Sequence, residues 1–218
     1  MASFMFLRNR HGKKRFIYGL PPAGKILDVG CGNDSPKKTK EIRQDINYIG
    51  LDVGDYNISA VSKEIAAEYV ISTPEKFAET IEHFSENTFD GVISTHNLEH
   101  CNEPGRVLKA MCSVLRHGGL LFLSFPSEAS VHFPSRKGSL NFYDDKTHIN
   151  LLVWKDVLAS LSAAGMEVVF SAQRYRPMVS FLIGLLFEPL CAWRKSLAPH
   201  GGTWALYGFE SVVWARKV

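Results

Sequence analysis

The sequence lacks most of the marks of a secreted, metal-clustered or membrane-spanning chain. Its four cysteines, Cys31, Cys101, Cys112 and Cys191, have no Cys-x-x-Cys spacing and no paired histidines beside them. That excludes the usual zinc frameworks, predicts reduced thiols, and gives no reason to expect a metal site. Residues 1–7 are apolar, but a basic stretch follows and no small-residue cleavage site is evident, so a cytoplasmic protein is expected rather than an exported one. The apolar stretch 178–186 meets Glu188 and Pro189, short of the roughly 20 residues that cross a bilayer as a helix. Internal repeats and low-complexity segments are absent.

Charge of one sign is also scarce overall, with a net of +3 from 25 basic and 22 acidic residues. It is uneven, however: Arg8, Arg10, Lys13, Lys14, Arg15 and Lys25 all precede the first acid, Asp28. Residues 1–24 read as a solvated basic arm, with attraction to phosphate, a membrane surface or an acidic partner as the alternative. A length of 218 residues with 45% hydrophobic content suits one domain, 1–218, with one sizeable core.

From residue 25 onward, short apolar runs alternate with helical patterns, as in a parallel sheet covered on both faces. The expected strands are residues 25–30, 48–53, 69–72, 89–95, 120–125 and 166–171, with a last one over 205–215. Val107, Leu108, Met111, Val114 and Leu115 fall on one helical face, with Asn102 expected to cap the start and Gly118 the end. Trp154, Val157, Leu158 and Leu161 repeat the pattern before Gly165. Two segments interrupt the alternation: a long polar and aromatic connection over 127–150, and the apolar insertion 176–200. Long connections of this kind are often functional. The insertion is expected to pack on the core, cover the site or touch a lipid surface.

The stretch Lys25-Ile-Leu-Asp-Val-Gly-Cys-Gly-Asn-Asp-Ser-Pro36 places Gly30 and Gly32 at a strand-to-helix turn, where a ligand can approach bare backbone and meet amides at a helix start. Ser35 and Pro36 read as its cap and first-turn pair. About twenty residues on, Asp52 ends the second strand, where a carboxylate can accept both hydroxyls of a ribose.

Together with Tyr48-Ile-Gly-Leu-Asp52, Phe89-Asp-Gly-Val-Ile-Ser-Thr-His-Asn-Leu-Glu-His100 and Leu120-Phe-Leu-Ser-Phe-Pro126, this turn resembles the class I S-adenosylmethionine-dependent methyltransferases, a group that includes small-molecule and quinone-precursor enzymes. The resemblance runs from about residue 25 to 165. It implies an α/β, Rossmann-like, mainly parallel seven-stranded sheet with helices on both faces and an antiparallel last strand. It implies S-adenosyl-L-methionine as cofactor, its methionine end over Gly30 and Gly32 and its ammonium oriented by Asp28. Asp52 and the adjoining Val53 would hold the ribose, the region from Ser72 and Thr73 to Glu75 would edge the adenine, and backbone at Thr95 and His96 would meet the methionyl end. Two departures stand out: Asp34 replaces the third glycine, and the usual acid after the third strand is missing.

Methyl transfer from a sulfonium is a direct displacement, so a base is needed only if the acceptor loses a proton. His96, His100, His132 and His148 lie near the expected mouth. His100 is the first choice as base and His148, in Asp145-Lys-Thr-His148, the second. Arg136 and Lys137 are expected to bind an anionic group, and Phe133, Phe142 and Tyr143 to wall the acceptor. The expected partner is a small-molecule, glycan or lipid-linked hydroxyl, with peripheral membrane contact and no specific nucleic acid. A non-catalytic S-adenosylmethionine sensor or assembly domain is the alternative, and an NAD(P)-dependent oxidoreductase the further one.

Overall fold

Both alternating sets of side chains along the apolar runs are buried, which makes them strands of a sheet covered on its two faces. The computed structural model describes residues 10–218, so Met1 to Asn9 of the basic arm lie outside the described residues. Strands β1 (Lys25–Val29), β2 (Asn47–Asp52), β3 (Glu68–Ile71), β4 (Phe89–Thr95), β5 (Leu115–Pro126), β6 (Met166–Ala172) and β7 (Glu210–Lys217) form one seven-stranded sheet in the order β3-β2-β1-β4-β5-β7-β6. Pairing is parallel from β3 to β5, and β7 runs antiparallel to both β5 and β6. This is the expected Rossmann-like sheet. The antiparallel β7, wedged between β5 and β6, is foreign to the six-stranded dinucleotide-binding order and leaves the oxidoreductase reading without a fold.

The helices are α1 (Lys13–Gly19), α2 (Ser35–Ile42), α3 (Ala60–Ile65), α4 (Phe77–Glu82), α5 (Pro104–Val114), α6 (Trp154–Ala163), α7 (Met178–Arg194) and α8 (Gly202–Tyr207). Val107, Leu108, Met111 and Val114 of α5 join Leu27, Leu51, Val92 and Leu121 in one core layer, with Val157 and Leu161 of α6. The opposite layer holds Ile26, Tyr48, Ile93, Phe122 and Val212.

Several expectations need correction. The basic arm is not a solvated tail over its described part: α1 buries Phe16 and Ile17, which follow the basic run Lys13 to Arg15, completely in the second core layer. Ser35 is not the cap of α2. Asp34 stands there, and the Ser35 hydroxyl turns inward to Asp28. Helix α5 starts from Glu103 rather than Asn102 and ends at Val114, not at Gly118. Residues 115–119 belong to β5, whose register with β4 shifts between Phe89 and Gly91. The last strand begins at Glu210, not at 205, because Ala205 lies in α8. An apolar run does not by itself distinguish strand from buried helix.

The insertion forms the 17-residue helix α7, with Pro189 inside it, and of its residues only Gly184 and Cys191 are buried. It therefore does not pack into the core. It crosses α8 so closely that a Cβ on Gly184 would lie 2.3 Å from the Gly202 carbonyl oxygen. Arg136, expected at an anion, is spent here instead. It is buried, pairs with Glu188 of α7 at 2.7 Å, and donates to the Ser196 carbonyl.

Candidate functional site

The turn after β1 is a close fit of backbone against side chain. Gly30 has φ +79°, and a Cβ there would lie 2.7 Å from Asn97, whose side chain covers the turn. Asn33 and Asp34 follow with φ 58° and 55°, conformations that Asn and Asp tolerate better than other non-glycine residues. The replaced third glycine has a physical reason: Asp34 accepts from the Ser59 amide and the Ser62 hydroxyl, both at 2.7 Å. These bonds join the turn after β1 to the segment after β2 and lower the Asp34 pKa to about 2.

Asp28, at the inner end of this turn, has no exposed surface. Its Oδ2 accepts from Lys13 Nζ at 2.9 Å, the Ser35 hydroxyl at 2.6 Å and the Tyr48 hydroxyl at 2.8 Å. Its Oδ1 is buried and has no hydrogen-bond partner. Burial pushes the Tyr48 phenol well up, with the Asp28 charge adding to it.

Asp52 is buried at the end of β2 and accepts from the Val53 amide at 2.7 Å. Burial raises its pKa against the amides of Val53 and Gly32, which lower it. Val53 is half-buried beside it. Ser72 donates its amide to the Asp52 carbonyl, while its hydroxyl pairs with Thr80. Thr73 is exposed, and a hydrogen bond to Thr73 helps hold the exposed Glu75 below the usual carboxylate range. Gly30, Gly32, Asp28, Asp52, Thr95 and His96 are thus gathered at the carboxyl ends of β1, β2 and β4, with Ser72 and Thr73 beyond β3. Open α/β sheets bind ligands at this edge.

At the end of β4, Thr95 Oγ1 is buried without a partner. His96 follows in a left-handed conformation, φ 48°. Its Nδ1 lies 3.1 Å from Glu99 and its Nε2 3.4 Å from Glu210, with the ring stacked on Phe209 and tilted against Trp204. Burial works against its positive charge, but the carboxylates of Glu210 and Glu99 together raise its pKa to about 10. His96 is therefore protonated at neutral pH and is no general base.

His100 and His148 meet beside it, ring centroids 4.8 Å apart. His100 Nδ1 faces the Thr147 hydroxyl at 2.9 Å and the Thr147 carbonyl at 3.1 Å. That hydroxyl donates to Asp145, so both partners of His100 Nδ1 act as acceptors. His148 Nδ1 lies 2.6 Å from the Phe142 carbonyl. Each ring thus carries its proton on Nδ1 and offers a lone pair on Nε2. The Glu99 carbonyl accepts from the amides of Ile149 and Asn150, which clamps the long connection onto the turn Leu98–His100. His132 is exposed on the turn Glu128–His132.

With this geometry in hand, comparison with known proteins is direct. A family model described as a methyltransferase domain matches residues 27–123, the span of the glycine turn, Asp52, β4 and β5. Over that span the chain is similar to the S-adenosylmethionine-dependent methyltransferases. Among curated relatives, the ubiquinone biosynthesis O-methyltransferase of Aliivibrio fischeri is 32% identical over 105 residues, 46% of this chain and 43% of that protein. The chain thus spans under half the length of the curated relative it matches. The structure from Haloferax volcanii of a methyltransferase in complex with the Trm112 activator has a TM-score of 0.66 at 13% identity, covering 98% of this chain and 92% of that one. The Burkholderia thailandensis 1,6-didemethyltoxoflavin-N1-methyltransferase, solved with S-adenosylhomocysteine bound, has a TM-score of 0.58 at 16% identity, covering 94% and 76%.

S-adenosylmethionine serves the methyltransferases that this chain resembles, and the chain's own atoms fit it. Asp28 Oδ1 and Thr95 Oγ1 are buried acceptors without partners, suited to an ammonium and to polar methionyl atoms, and Asp52 is a buried carboxylate at the end of β2. Residues that the motifs did not reveal are Lys13, Ser35 and Tyr48 around Asp28, Asn97 over Gly30, and Glu99 and Glu210 about His96. Only Glu99 carried a local signal, three residues after one histidine and directly before another.

Proposed function

We propose that this chain is a methyltransferase that transfers a methyl group from S-adenosylmethionine to a hydroxyl of a small or lipid-linked acceptor in the cytoplasm. The observation carrying this reading is the pair of Nε2 lone pairs on His100 and His148 at the edge of the sheet that gathers the cofactor residues. The name of the relative from Aliivibrio fischeri, an O-methyltransferase, agrees with an oxygen acceptor. The four free, buried cysteines accord with a reducing compartment.

When bound, S-adenosylmethionine supplies an electrophilic methyl group: the acceptor oxygen-to-carbon bond forms as the carbon-to-sulfur bond breaks, and S-adenosylhomocysteine leaves. The chain's part is to hold and align. Asp52 takes the ribose hydroxyls, with Val53 beside it, and Ser72 and Thr73 border the adenine. Gly30 and Gly32 keep the turn bare for the methionine end, Asp28 Oδ1 accepts from its ammonium, and backbone at Thr95 and His96 lines the approach. His100 Nε2 accepts the hydroxyl proton, with His148 next to it, while the protonated His96 adds positive charge.

The test uses isotopically labelled cofactor and a panel of phenolic and catecholic acceptors, with and without a prenyl tail. His100→Ala is expected to lower kcat by about 100-fold and leave cofactor affinity unchanged. If cofactor binds but no acceptor is labelled, the non-catalytic sensor reading replaces this one.

A lipid-linked acceptor is supported by α7. Met178, Leu186 and Trp193 on it are 62%, 75% and 79% exposed, far more than a core helix permits. Arg174 and Arg176 precede it, and Arg194 and Lys195 end it. Apolar faces with basic ends suit the interface of an anionic bilayer, whereas no helix among the described residues is long and apolar enough to cross one. Co-sedimentation with phosphatidylglycerol vesicles is expected, and Leu186→Asp should reduce it more than about tenfold. Equal partition of the variant would remove the membrane contact.

A further inference from the structure

Glu99, His100 and His148 each bring a potential ligand atom into one cluster. Glu99 has no exposed surface, its Oε1 is held by His96, and its Oε2 is buried with no hydrogen-bond partner. Leaving a buried carboxylate oxygen unpaired is costly, so a partner for Oε2 is the missing element. Across from it stand the two histidines. Each donates Nδ1–H to protein oxygen and keeps Nε2 open, which is how metal-binding imidazoles are oriented by their surroundings. The ligand atoms all lie within 4.8 Å of one another. Ligands around one zinc-sized ion stand roughly 3.4 Å apart, as bonds of about 2.1 Å require, so binding draws the three side chains closer together.

We propose that Glu99, His100 and His148 form a binding site for one divalent transition-metal ion. Two imidazoles and a carboxylate suit zinc or iron better than calcium and magnesium, whose sites are built from oxygen. Three protein ligands leave a position open, at the same edge of the sheet as the cofactor residues. With the ion bound, His100 Nε2 is a ligand and no longer the base, and it is the ion that favours the ionised form of a hydroxyl group held beside it.

The surroundings are suited to this charge. Asp145 Oδ2 is 3.9 Å from His148 Nε2 and offers a second carboxylate. His96 occupies the far oxygen of Glu99, so Oε2 is fixed in direction. The cysteine pattern gave no hint of this site, since His148 reaches Glu99 only through the clamp of Ile149 and Asn150 on the Glu99 carbonyl. A part for the ion in methyl transfer rests on the hydroxyl-methylation reading; binding of the ion does not.

The test is titration of the full-length, metal-stripped protein with cobalt(II), followed by visible absorption and by calorimetry, in the absence of any acceptor. One ion per chain is expected, displaced by zinc. Glu99→Gln and His148→Ala should each weaken binding at least about 100-fold, and Thr147→Val, which removes only a support of His100, by about tenfold. His83→Ala and His117→Ala, away from the cluster, should bind as the parent does. Melting curves and S-adenosylmethionine affinity check that each variant is folded. No binding, or binding that survives in both Glu99→Gln and His148→Ala, overturns the site. Metal binding without labelled product on any acceptor would instead defeat the methylation reading and leave the site standing.

Discussion

Replacing Asp52 by Asn is expected to weaken S-adenosylmethionine binding by about 100-fold while leaving the fold at least as stable as before. Each hydrogen bond from a ribose hydroxyl to a carboxylate is worth about 1.5–3 kcal/mol, and about 2.7 kcal/mol in total is a hundredfold in affinity. The stability half of the prediction follows from the raised pKa. A carboxyl whose folded-state pKa is raised binds its proton more tightly when folded, so its ionisation opposes folding as pH rises. The cause is burial, only partly offset by the amides of Val53 and Gly32. An uncharged Asn removes that penalty at neutral pH. The measurement is a pair of melting curves per protein, with and without cofactor: the variant should melt no lower than the parent alone and lose most of the rise that ligand gives. A variant that binds as the parent does would remove Asp52 from the ribose.

His96 is expected to be a pH-dependent support of the fold. Its pKa is raised from 6.5 to about 10, so the protonated ring binds Glu99 and Glu210 in the folded state while the unfolded chain releases the proton much earlier. The stability it contributes is complete below about pH 6.5 and is lost as pH rises through about 10. At about 1.4 kcal/mol per pH unit the ceiling is about 5 kcal/mol, a large share of the 5–15 kcal/mol typical of a domain. His96→Gln should therefore be most destabilising near pH 6 and approach the parent by pH 10, read from denaturant unfolding across that range. A difference that does not change with pH would mean that the ring acts by packing against Trp204 and Phe209 alone.

The sheet was readable because parallel strands buried on two faces need nearly continuous apolar runs, and residues 89–95 appear in the structure with the boundaries the sequence suggests. Runs that border glycine were harder. Gly118, with φ +74°, fits a helix end as well as the irregular start of β5, and only pairing with β4 decides between them. Residues 205–209 are equally apolar in either form, and it is packing against α7 that makes 202–207 helical. The candidate site divides in the same way. Gly30, Gly32 and Asp52 stand at fixed distances from strand ends, so local sequence announces them. The roles of His96 and Arg136 do not follow from sequence, because they depend on Glu210 and Glu188, far along the chain.

By itself the sequence determined the sheet, the glycine turn and the acid that follows it, since strand periodicity and backbone freedom are local properties. Only the tertiary structure decided which charges meet. It set Lys13 on Asp28, two carboxylates on His96, and His148 against Glu99 and His100. The physical reason is that proton affinity and ligand capacity depend on desolvation and on neighbours within a few ångströms, and folding alone chooses those neighbours.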